Sequence, residues 1–214
     1  HQVPEDLAPI IIAVVGLIYA VGFFFVYKIT DVYTSFLIYG GVALGLLTTS
    51  VVLEFSGPVE AITLLLMGAG VTLFTQYLSR DENITKVVTF FNLIPLFYVI
   101  KSVTMISWAT YNGNSRGNIW EDLLVVFMAM AVYFGLYRYF IEKIKELGQI
   151  SLFLFLALCI TTLWQVLHLI IGGGFATFLS ILVYTIVGLF VLLNATKERN
   201  DSKIKLARLW LGLV

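Results

Sequence analysis

Charge is what this sequence has least of: 12% of its 214 residues are Asp, Glu, Lys or Arg, against about 25% in a soluble domain. It has one cysteine, Cys159, two histidines, His1 and His168, and four prolines. Each shortage excludes something. A single cysteine forms no internal disulfide and leaves the redox compartment illegible. Two histidines, with no carboxylate pair at ligand spacing inside an apolar run, make no metal cluster. A formal net charge of +0 removes the electrostatic footprint expected of a nucleic-acid binder. Neither a P-loop nor a Ser/His/Asp arrangement occurs, so no residue pattern specifies a cofactor or an ordinary enzyme site.

What the sequence does have is oil. Sixty per cent of residues are hydrophobic, and the mean hydropathy is +0.97. The expectation is an all-α, polytopic transmembrane bundle, because lipid leaves unpaired backbone groups unsatisfied and no short alternating strands of a barrel are present. A helix needs about 20 apolar residues to cross roughly 30 Å of hydrocarbon. Seven runs meet or approach that length, at 7–27, 32–53, 61–78, 87–107, 123–139, 150–171 and 175–193, and an eighth begins at 204–214. The chain opens at His1 and closes on the unfinished run "LARLWLGLV". The expectation is a segment of a longer protein whose partners are the bilayer and its own remaining helices.

The basic residues orient these runs. Lys28, then Arg80 and Lys86, then Arg138, Lys143 and Lys145, then Lys197, Arg199, Lys203, Lys205 and Arg208 follow the first, third, fifth and seventh runs; only Lys101 and Arg116 fall elsewhere. Positive charge collects on the cytoplasmic side. The N-terminal end, 1–6, is therefore expected outside, the loop 108–122 outside, and the tail 194–203 in the cytoplasm.

An internal repeat is visible at an offset of 117. "LSRDENITKVV" from Leu78 lies on "ATKERNDSKIK" from Ala195, placing Arg80 on Lys197, Asn83 on Asn200 and Lys86 on Lys203. The unit implied is four helices in parallel copies, 7–107 and a truncated 123–214. On these residues, with "PVEAITLLLMGAGVTLF", "SRDENITK" and "LVYTIVGLFVLLNATKERNDSKIKLARLWLGL", the chain resembles the predicted bacterial multi-pass membrane proteins of the domain of unknown function 2339. Glu60 and Ala61 match that family's Glu-Ala helix start; Arg208 to Gly212 match its next helix start loosely. The resemblance implies a bacterial cytoplasmic membrane and a long many-span protein, and it implies no activity.

Ionisable and polar groups inside a membrane are the candidates for function. Thr161, Gln165, His168 and Gly172 fall at i, i+4, i+7 and i+11, one stripe on the sixth run, aimed at its outer end. Glu54 and Glu60 flank the same surface. Lys101 lies fourteen residues after Val87, about 21 Å along its helix, and can reach outward. These residues would form either an outward polar vestibule or interhelical bonds with interfacial charge. Pro95 removes a donor, so "FNLIP" is expected to bend the fourth run, with Asn92 serving the freed backbone or a neighbouring helix. Gly41 with Gly45, and Gly68 with Ala69 and Gly70, read as close helix packing. "RYFIEKIKELGQ" reads as lying at the lipid surface or prolonging the fifth run. Three classes of function stay open: a transporter or flippase for a lipid-linked or small polar substrate, a scaffold, and an outer-face enzyme using His168 with Glu60.

Overall fold

The computed structural model describes residues 7–30, 33–79, 81–112, 119–171 and 173–197, together with 204, 207, 208, 211 and 212. Expectations that fall on residues 1–6, on Arg80, Arg116 and Gly172, on the tail beyond 197 and on most of the eighth run lie outside the described residues.

The order is α1 (Ala8–Thr30), α2 (Tyr33–Glu54), α3 (Pro58–Ser79), α4 (Glu82–Thr89), a 3₁₀ turn (Phe90–Asn92), α5 (Leu93–Asn112), α6 (Ile119–Phe140), α7 (Lys145–Ile171) and α8 (Gly173–Lys197). No strand occurs among the described residues. Five stretches are long and apolar enough to cross a membrane: Pro58–Ser79, Glu82–Ser107 taken through its 3₁₀ turn, Ile119–Phe140, Lys145–Ile171 and Gly174–Leu193. The fully described apolar parts of α1 and α2, Ala8–Phe23 and Ile38–Glu54, are shorter than that. Large apolar side chains such as Phe97, Ile170 and Phe190 stand exposed along the helices, as side chains do when lipid is the solvent.

The core is built around α6. Val126 and Ala129 are fully buried, and Val99 and Ile106 of α5, Ala61 and Leu65 of α3 and Leu147 and Leu158 of α7 close around them. α8 leans on α7, where the Tyr184 hydroxyl donates to the Ile160 carbonyl. α1 and α2 form a hairpin: the Ser50 hydroxyl donates to the Pro9 carbonyl at 2.8 Å, and a Cβ on Gly16 would meet Leu47 at 3.1 Å.

Glycine usage differs from the sequence expectation. Among the described residues, a Cβ on Gly41, Gly45 or Gly70 would meet nothing within 4 Å, whereas one on Gly40 would meet Phe23 at 3.1 Å and one on Gly68 would meet Asn92 Oδ1 at 2.5 Å. Spacing marks small residues; only the facing helix decides which of them is a contact. The stretch "RYFIEKIKELGQ" first completes α6 through Phe140. It turns at Ile141–Lys143 and enters α7 at Lys145, with Phe140, Ile144 and Leu147 buried inside the corner. Gly148 makes this corner close, since a Cβ there would stand 2.7 Å from the Ile141 Cα.

α3 packs against α2, α4, α5 and α6, while α8, which the 117-residue offset would lay on it, packs against α7. Gly57 turns the chain with φ at 66°, whereas Gly174, at the same offset, is helical.

Candidate functional site

The polar stripe on α7 is met by protein. Gln165 is fully buried, and its Nε2 donates to the Val103 carbonyl and to Ser107 Oγ, each at 2.8 Å. Ser107 donates in turn to the Val103 carbonyl at 2.9 Å. The amide thus ties α7 to α5, and only its Oε1 is left without a partner among the described residues. Thr161 bonds back to Ala157 at 2.8 Å, a habit of hydroxyls in helices. His168 lies against Trp164, ring centroids 5.3 Å apart, and its Nδ1 is buried with no partner among the described residues.

Glu60, Glu54 and Lys101 stand on three other helices, α3, α2 and α5. Glu60, in the first turn of α3, accepts from the Tyr98 hydroxyl at 2.6 Å and so joins α3 to α5. Glu54 is exposed at the end of α2. Lys101 is exposed on α5. None of Thr161, Gln165, His168, Glu54, Glu60 or Lys101 lines either of the two cavities described below.

The helix break behaves as a joint between three helices. Asp81 caps α4, its Oδ1 accepting from Asn83 N at 2.7 Å and, more loosely, from Ile84 N at 3.4 Å. α4 runs two turns before the chain tightens into the 3₁₀ turn and resumes as α5, where Pro95 occupies the first turn. There its missing N–H costs no helical bond. Asn92 serves the neighbouring helix: its Nδ2 donates to Thr72 Oγ1 at 2.8 Å, and Thr72 donates to the Gly68 carbonyl at 2.9 Å. The amide lies directly over Gly68, which has no side chain to exclude it.

Below that joint α5 and α7 part. Between them, with α6 as floor, is a crevice of about 310 Å³. Its walls are apolar, from Leu93 and Leu96 on α5, Leu136 on α6, and Ile150 and Leu154 on α7. Phe90, Leu93 and Ile150 are exposed, so it opens sideways on the lipid-facing surface. Two charges line it, Lys86 and Glu146, and they form an ion pair; Lys86 also lies 3.8 Å from Glu82. Tyr133 lines it as well, only 2% exposed, and its hydroxyl is buried with no partner among the described residues. A buried hydroxyl without a partner costs about 1–3 kcal/mol, so this one is notable beside a cavity.

A second cavity of about 120 Å³ lies between the α1–α2 hairpin and α3–α4, with Thr75 the one polar residue among Ala20, Phe23, Leu44, Val71 and the rest of its lining. It has the character of a dry packing gap.

Sequence reasoning passed over the crevice. The available signals were a tyrosine, Tyr133, in the middle of an apolar run, and opposite charges, Lys86 and Glu146, just before two runs on the same side. Neither signal says that the three meet. No family model matches the chain, and neither a curated protein nor a solved structure matches it.

Proposed function

We propose that this integral membrane protein is a transporter or flippase that admits a lipid-like substrate sideways from the bilayer into the α5–α7 crevice. The observation that carries this reading is an open apolar cavity lined by Tyr133, whose buried hydroxyl has no partner among the described residues; apolar pockets with few polar groups are the usual form of ligand sites. An interrupted helix beside the pocket adds to it, since broken helices line substrate sites in membrane transporters. The test is reconstitution of the protein in phosphatidylcholine vesicles carrying lipids fluorescently labelled on the acyl chain, with a membrane-impermeant quencher outside. Translocation faster than in protein-free vesicles, slowed by Leu136→Trp, is expected; equal rates with and without protein refute the reading.

The orientation we propose follows the basic residues: the Lys86 end of the bundle faces the cytoplasm and the Glu54–Glu60 corner faces out. In a Cys159→Ser background, a cysteine at Glu54 should react with an impermeant maleimide on intact cells and one at Lys143 should not. Seven spans, the 117-residue repeat and kinship with the domain of unknown function 2339 proteins belong to the same proposal.

A scaffold is the second reading, favoured by Gln165, whose donors are spent within the bundle. The enzyme reading draws least support, because Glu60 is engaged by Tyr98 and His168 lies against Trp164.

A further inference from the structure

We infer that the α5–α7 crevice binds an ethanolamine phospholipid, with the headgroup at Lys86 and Glu146, one acyl chain along the apolar wall, and a glycerol-ester carbonyl accepting from the Tyr133 hydroxyl. This rests on the crevice being the entry proposed above and names what enters. Three observations carry it. First, about 310 Å³ lies near the lower end of ligand pockets, roughly 300–1,000 Å³, which suits one chain and the neck of a lipid more than a whole two-chain molecule. Second, Tyr133 lines the crevice seven residues before the end of α6 at Phe140, about 10 Å along the axis, the level where a phospholipid turns from head to chain, and its hydroxyl is buried with no partner among the described residues.

Third, the mouth holds one cation and one anion side by side, and a zwitterion matches both. The phosphate would accept from Lys86 Nζ and the ammonium would donate to Glu146. The Lys86 and Glu146 side chains are 33% and 69% exposed, so separating them for the headgroup breaks only a solvent-screened pair. An anionic headgroup would leave Glu146, and Glu82 beside it, facing like charge. A choline headgroup has no N–H to donate and is recognised by aromatic cages, whereas the aromatic residues of this lining are Phe90 and the deep Tyr133.

The experiment is native mass spectrometry of the purified chain in detergent with an equimolar mixture of palmitoyl-oleoyl phosphatidylethanolamine, phosphatidylcholine and phosphatidylglycerol. Phosphatidylethanolamine should be retained about tenfold over the other two, the scale of one lost charge-assisted contact. Glu146→Gln should erase the preference over phosphatidylcholine while lipid is still retained, Tyr133→Phe should weaken retention of phosphatidylethanolamine and phosphatidylcholine alike by about threefold to tenfold, and Leu136→Trp should abolish it by filling the crevice. Equal retention of the three lipids, a preference for phosphatidylglycerol, or full retention by both Tyr133→Phe and Glu146→Gln would overturn the inference. Selective retention without translocation in vesicles refutes the transport reading and leaves this one; translocation without headgroup preference does the reverse.

Discussion

α5 and α7 meet at one end of the bundle and separate at the other. Near the Gln165 end, a fully buried amide on α7 binds a carbonyl and a hydroxyl on α5 and seals the pair. At the Lys86 end α5 and α7 flank the crevice over α6, its mouth crossed by the ion pair from Lys86 of α4 to Glu146 of α7, and the Tyr133 hydroxyl is without a partner among the described residues. The difference has a local cause. The chain leading into α5 is broken at Phe90–Asn92, and the Asn92 amide there donates to Thr72 on α3. A buried amide ties α5 to α7 at one end, and at the other the amide of Asn92 ties the chain to α3.

That contrast can be broken deliberately. The largest effect is expected from Gly148→Val: its Cβ would stand 2.7 Å from the Ile141 Cα, backbone that cannot step aside, so the α6–α7 corner must open at a cost of about 3 kcal/mol. A fall in the denaturation midpoint in a dodecyl sulfate titration measures this. Gly68→Ala comes next. It drives a methyl to 2.5 Å from Asn92 Oδ1 and dislodges the Asn92–Thr72 bond for about 2 kcal/mol; the joint beside the crevice should then exchange amide hydrogens faster, while the Gln165 end keeps its protection. Gln165→Leu attacks the sealed end and should cost about 1 kcal/mol, since interhelical hydrogen bonds in membranes average about 0.6 kcal/mol each. Protection should fall at Val103 to Ser107 and stay unchanged at the Lys86 end; loss at both ends would mean that the two are one cooperative unit. The smallest effect belongs to Gly41→Ala with Gly45→Ala, within about 0.5 kcal/mol, because neither Cβ would meet anything within 4 Å among the described residues. A large loss there would instead mark that face of α2 as a contact with another chain or helix.

Much of the fold was legible from the order of residues. Apolar runs located the spanning helices, and "FNLIP" marked where the fourth would be interrupted. Boundaries were less so: α7 starts at Lys145, five residues before its apolar run, because Gly148 lets that polar turn pack into the corner. Of the candidate site, the sequence named Gln165 and His168 as odd residues in oil but not their partners. The crevice residues Lys86, Tyr133 and Glu146 lie on three helices, α4, α6 and α7, and nothing in their own segments distinguishes a crevice-lining tyrosine from packing.

By itself, then, the sequence determined what the bilayer demands: helices of sufficient length, since every backbone group must be paired within its own segment and each residue advances about 1.5 Å. The faces these helices turn to one another were decided only in three dimensions. In water, a helix advertises its buried side by the polar residues opposite it. In lipid both sides are apolar, so that signal vanishes, and close fits such as Gly68 under Asn92 or Gly148 against Ile141 choose the contacts, leaving the opening between α5 and α7 where no such fit exists.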